Sequence, residues 1–170
     1  SLDSESITMK SGTSHHSSYL DLVGKLALQG VHNDQGGPFG ALVVNHDGEI
    51  VGQGQNCVTS LVDPTAHAEV MAIRNACKTI GSFSLQGCTL YSSSEPCPMC
   101  LSAIYWARLE SVVFSNTKKD AEEIGFDDSW IESEILKNPA DRKIVMTQEI
   151  NITCHEAFKA WREKEDKVRY

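Results

Sequence analysis

The chain of 170 residues carries 15 Lys plus Arg against 23 Asp plus Glu, a formal net charge of -8, so it lacks the basic footprint by which proteins hold nucleic-acid phosphates. Hydrophobic residues make up 41% and charged residues 22%, an ordinary globular mix that excludes wholesale disorder and, at this length, leaves room for one domain. No apolar run approaches the roughly 20 residues of a membrane helix, and the first residues lack the basic and then apolar regions of an export signal, which predicts a protein of the cytoplasm.

Residues 1–18 are rich in Ser and Thr and read as a flexible N-terminal arm in which His15 and His16 are solvated, leaving residues 19–170 as a single domain. From Tyr19, the recurrence of Leu20, Val23, Ala27 and Val31 at spacings of three and four predicts an amphipathic helix to Asn33. The run GGPFG stops it. Apolar runs over 41–45 and 49–54, separated by His46-Asp47-Gly48, predict a hairpin. Asp63-Pro64-Thr65 then leads into a helix with the stripe Ala68, Met71, Ala72, Ile73 and Ala76, closed by Gly81. CTLYSSS (88–94) predicts a buried strand, 96–109 a helix, SVVFS (111–115) a strand, and 120–125 and 129–137 two short helices. KIVMTQ (143–148) predicts a fifth strand, and 154–164 a closing helix before a tail that ends in Tyr170. Strands alternating with helices predict an α/β fold of three layers, α/β/α, around a five-stranded mixed sheet. In it the first two strands are antiparallel, and SVVFS and KIVMTQ are parallel because a long helical crossover joins them.

Among the six cysteines, only Cys97 and Cys100 have a recognisable spacing. In a reducing compartment such a pair binds metal or does redox work. Three apart at the start of a helix, both sulfurs lie on one side of a turn and can reach one ion, and the positive end of the helix favours thiolate. With His67 they make a mixed sulfur and nitrogen set that suits Zn2+, with bonds of about 2.3 Å to sulfur and about 2.0 Å to nitrogen. Three protein ligands leave a fourth place for water, the mark of a catalytic site. Glu69, two residues after His67, is placed to accept that water's proton. Alone, each piece has a plainer reading: a satisfied His, a redox pair, a Glu that complements a helix dipole. A noncatalytic module with a zinc closed by a fourth Cys also competes, and Glu69 beside the metal argues against it. Cys57, Cys77, Cys88 and Cys154 stand in no motif and read as small buried hydrophobes.

His-x-Glu followed by Pro-Cys-x-x-Cys is the order in which zinc deaminases of nucleobases carry these groups. The chain resembles the cytidine deaminase superfamily through GGPFGA, NHDG, DPTAHAEVMAIRNAC, SSSEPCPMC and AIYWAR. GFDDS, and a terminal AW followed by a final Tyr, are similar to the zinc-dependent guanine deaminases of bacterial type. Ser94 departs from the pattern, since relatives often carry Cys or another small residue there. The resemblance implies a cytidine deaminase-like fold and one Zn2+ per subunit on His67, Cys97 and Cys100. It implies hydrolysis of guanine to xanthine and ammonia, with activated water attacking the ring carbon that bears the amino group. Glu69 would carry the proton to the adjacent ring nitrogen and then to the departing ammonia.

It also implies a pocket. Phe39 and Trp106 would be apolar walls, Asn56 would bond the base edge, and the Ala68 amide would hold a ring oxygen or developing charge. Asp128 would accept from ring or amino hydrogens, and Tyr170 would cover the site, in a homodimer whose C-terminal tails are exchanged. Plainer roles compete here as well: Asn56 ending a strand, Trp106 in a helical stripe, Phe39 packing a turn, Asp127 or Asp128 capping a helix, and Tyr170 as a loose terminus. Guanosine, cytosine and an adenosine in tRNA are the alternative substrates, the last disfavoured by the acidic balance.

Overall fold

The computed structural model describes residues 15–170. The arm expected over 1–18 lies outside them as far as residue 14, and from His15 the chain is already helical: α1 spans His15–His32. Tertiary contact explains the early start. His16 Nδ1 lies 2.7 Å from the Tyr91 hydroxyl, and the Tyr19 and Tyr91 rings sit 4.7 Å apart, so the polar first turn is held against the sheet.

Four strands follow the order β2-β1-β3-β4, with β1 at Gly40–Val44, β2 at Ile50–Gln55, β3 at Thr89–Ser94 and β4 at Ser111–Asn116. β1 is antiparallel to both β2 and β3, whereas β3 and β4 are parallel and joined through α4, Pro98–Trp106. Alternation along the strands divides the core in two. Leu42, Val44 and Tyr91 meet Tyr19 and Val23 of α1 on one face. On the other, Ala41, Val43 and Leu90 meet Ala68, Ala72 and Ala76 of α3 (Ala68–Ile80) and Ile104 of α4. Helices therefore cover both faces of a mixed sheet, as the alternation of elements predicts.

Among the described residues the sheet has four strands rather than five. Residues 143–148 are unpaired, and Ile144, Val145 and Met146 are 75%, 86% and 67% exposed. A β-prone composition makes a strand only where an edge receives it, and here α6 (Asp128–Leu136) holds the entry to the segment. Arg142 Nη2 donates to the Ile135 carbonyl at 2.8 Å, and the Lys143 amide donates to Glu134 Oε2 at 2.8 Å. The parallel partner expected for SVVFS is accordingly β3, not KIVMTQ. The remaining elements are α2 (Val58–Leu61), a single turn that no periodicity announces, α5 (Lys118–Glu123), a 3-10 turn at Pro139–Asp141 and α7 (Ile152–Glu163). Among the described residues, no helix is long and apolar enough to cross a membrane.

What positions the site is the close approach of α3 to β2. A Cβ built on Gly54 would lie 2.4 Å from the Ala68 carbonyl oxygen and 2.6 Å from the Ala72 nitrogen, so only glycine admits the helix at this separation. Gly54→Ala is expected to destabilise the fold by about 1–3 kcal/mol as overpacking does, and to lower metal content because α3 begins beside His67. Chemical denaturation with elemental analysis checks this; an unchanged midpoint contradicts it.

Candidate active site

Two helix N-termini converge at the site. His67 is the N-cap of α3 and Cys97 the N-cap of α4, both in extended backbone, and the His67 side chain makes no capping bond to its own helix. Pro98 at the first helical position fixes the turn that brings Cys100 back beside Cys97. His67 Nδ1 lies 3.5 Å from Cys97 Sγ and 3.4 Å from Cys100 Sγ. A tetrahedral ion with bonds of about 2.3 Å to sulfur and about 2.0 Å to nitrogen separates those atoms by about 3.5 Å, so the donor set fits zinc. No other such cluster of His, Cys and carboxylates occurs among the described residues, and no fourth such ligand joins this one.

The ionisation of the site follows from its hydrogen bonds. Cys97 accepts from the Cys100 thiol and from His67, which, against its burial, holds it down to about 4. Cys100, as the donor and buried, is pushed up. The His67 imidazole is raised first by its bond to Cys97. Glu69, 6% exposed, is raised mainly by burial, which favours a carboxyl that can hold a proton as well as give one.

A cavity of about 320 Å³ opens beside these groups, within the usual range of small-molecule sites. Phe39, Asn56, His67, Glu69, Cys97 and Asp128 all line it. Asn56 is buried, and its Oδ1 accepts from the amides of Gly37 and Val58, each at 3.2 Å. The NH2 group is what Asn56 then has to offer a ligand. Gly36 makes this clamp fit: a Cβ there would lie 2.3 Å from Asn56 Oδ1. Phe39 meets Phe126 edge to face, ring centroids 4.8 Å apart, to form one wall. Asp128 opens α6, where burial pushes its carboxyl up, while the preceding Asp127 makes no side-chain capping bond.

Two of the expected contacts, Trp106 and Tyr170, stand apart in the single chain. The Ala68 side chain belongs to the core, although its backbone joins His67 to Glu69. Trp106 and Tyr170 line a second cavity with Phe83, their rings 6.0 Å apart, and Trp106 is 62% exposed. Conversely, Glu95 and Phe126 line the first cavity without having been singled out from sequence. Their signals were adjacency: Glu95 shoulders the PCPMC motif and Phe126 lies within GFDDS.

The family defined by the cytidine and deoxycytidylate deaminase zinc-binding region matches residues 13–116. The chain belongs to that family. Within it, the chain is 49% identical over 157 residues to the guanine deaminase of Bacillus subtilis, covering 92% of this chain and 99% of that one. The X-ray structure of that guanine deaminase superposes with a TM-score of 0.87 over 91% of this chain and 98% of the other. The guanine deaminase of Nitrosomonas europaea gives a TM-score of 0.64 at 29% identity, over 70% and 68% of the two chains. A tRNA-specific adenosine deaminase of Aquifex aeolicus is 46% identical over 82 residues, 48% of this chain and 54% of that one.

Gly36→Ala in this deaminase is expected to weaken base binding about tenfold, the worth of roughly one hydrogen bond, with metal content unchanged. Steady-state KM together with elemental analysis reads both; an unaltered KM would show that Asn56 does not need the clamp.

Proposed function

We propose that this family member hydrolyses guanine to xanthine and ammonia. The observation that carries the reading is the cavity, which joins a His-Cys-Cys ligand set and a buried Glu to an amide donor and a carboxylate. The nearly full-length likeness to a guanine deaminase supports it. The likeness to a tRNA-specific enzyme covers about half of the chain, and a net charge of -8 opposes a polyanion.

His67, Cys97 and Cys100 would hold a zinc ion, which would supply Lewis acidity and lower the pKa of water from 15.7 to about 7. Glu69 takes the proton of the attacking water and gives it to the ring nitrogen beside the carbon that carries the amino group. It then delivers the second proton to the amino nitrogen, which leaves as ammonia while the water oxygen becomes the new carbonyl. The Asn56 NH2 donates to the acceptor edge of the base, Asp128 accepts from ring or amino hydrogens, and the Ala68 amide steadies a ring oxygen. Phe39 flanks the ring and, with Phe126, keeps water from its face.

The working form in this reading is a homodimer of 19–170 domains that exchange their C-terminal tails, in the cytoplasm. In its support, α7 buries no residue, Ile150, Ile152 and Phe158 are 79%, 75% and 75% exposed, and β4 pairs on one side alone. Trp106 and Tyr170 would then meet substrate through a second copy. Six free cysteines suit a reducing compartment.

Glu69→Gln is expected to keep zinc and fold but to lose ammonia release by about three orders of magnitude or more, at the strong end of general acid–base effects. Cys97→Ala is expected to lose the metal; normal zinc content would contradict the ligand assignment. Light scattering of the wild-type chain is expected to give twice the chain mass, and removal of the last residues through Tyr170 to slow guanine turnover more than it lowers the melting temperature. A monomer at full activity would refute the exchanged tail.

A further inference from the structure

Lys118, the first residue of α5, joins two parts of the site that nothing in the local sequence links. Its amide donates to Glu95 Oε2 at 3.0 Å, and its ammonium donates to Glu132 Oε2 at 2.8 Å with Glu95 Oε1 at 3.9 Å. Glu95 lies in the loop that leads to Cys97 and lines the cavity. Glu132 lies on α6 four residues after Asp128, hence on the same helical face. Lys118 thereby bridges the loop that leads into Cys97 and the helix that carries the carboxylate read as the acceptor for the base.

Most surface ion pairs contribute little to stability. This one differs in what it holds. α6 buries no residue of its own, so apolar packing does not fix its first turn. Phe126, against Phe39, anchors the approach to α6 from one side. The Lys118 side chain, about a quarter exposed, anchors it from the other. The cavity rim also gathers Glu69, Glu95, Asp128 and the Cys97 thiolate, and a cation among them opposes the burial that pushes the Asp128 carboxyl up.

We propose that Lys118 is a positioning residue for the reaction: through Glu95 and Glu132 it sets Asp128 against the base, and so governs substrate affinity without touching substrate. The inference rests on the reading of Asp128 as a guanine acceptor. Lys118→Met is expected to raise KM for guanine about tenfold with kcat within about twofold, the pattern of lost binding common to ground and transition states. Lys118→Arg is expected to restore KM to within about threefold, since it keeps the charge and the donors. On an Asp128→Asn background Lys118→Met is expected to add little, because the two act as one unit. Guanine binding by calorimetry on the inactive Glu69→Gln chain is expected to give the same ratios free of turnover. Should Lys118→Met fail to fold, Glu132→Gln, at a side chain 45% exposed, removes the same tether and is expected to raise KM in the same direction. An unchanged KM in Lys118→Met, or in Glu132→Gln if that must stand in, overturns the inference, as does the tenfold factor repeated in full on the Asp128→Asn background. A wild-type chain that releases no ammonia from guanine defeats the underlying reading instead, and does so before any variant is made.

Discussion

Two helices that begin at one point form the centre of this protein. α3 and α4 each present an N-cap residue, His67 and Cys97, and the two side chains meet between the helix ends. That arrangement needs α3 to lie almost in contact with the β2 backbone, which the Gly54 and Ala68 pairing allows. It also needs α4 to start sharply after β3, which Pro98 enforces. Positive helix ends, buried thiols and an imidazole then share one small volume, and the separations among them are those of a tetrahedral zinc shell. Glu69 follows without further construction, because the first turn of α3 sets it beside the ligands.

The legible parts of the sequence were those fixed by local rules. Periodicity located α3 to within a residue or so, and ligand chemistry singled out His67, Glu69, Cys97 and Cys100 because metal binding demands particular donors at particular spacings. The start of α1 was hidden, since a Ser- and His-rich segment has no apolar stripe and its helix depends on Tyr91, 75 residues away from His16. KIVMTQ misled for the opposite reason. Its composition suits a strand, but composition does not say whether an edge will receive it, and Arg142 and Lys143 are drawn to α6 instead. The bridge of Lys118 to Glu95 and Glu132 spans 23 and 14 positions, beyond any local pattern.

The cavity divides its work between rigid and lightly held elements. Asn56 is clamped by backbone amides on the β2 side and has one orientation to offer. Asp128 arrives on a helix with no buried residue. In the proposed reading, a base between them would meet on one edge a donor fixed by backbone amides, and on the other an acceptor whose helix is tied by Lys118 rather than by apolar packing.

Among the described residues, every strand and the three residues that would hold zinc fall between His15 and Asn116. During synthesis from the N-terminus, that whole scaffold is translated before Lys118, α6 or the C-terminal tail. The residues that would hold zinc therefore emerge from the ribosome ahead of Asp128 and the C-terminal tail, and need not await either to meet their ion.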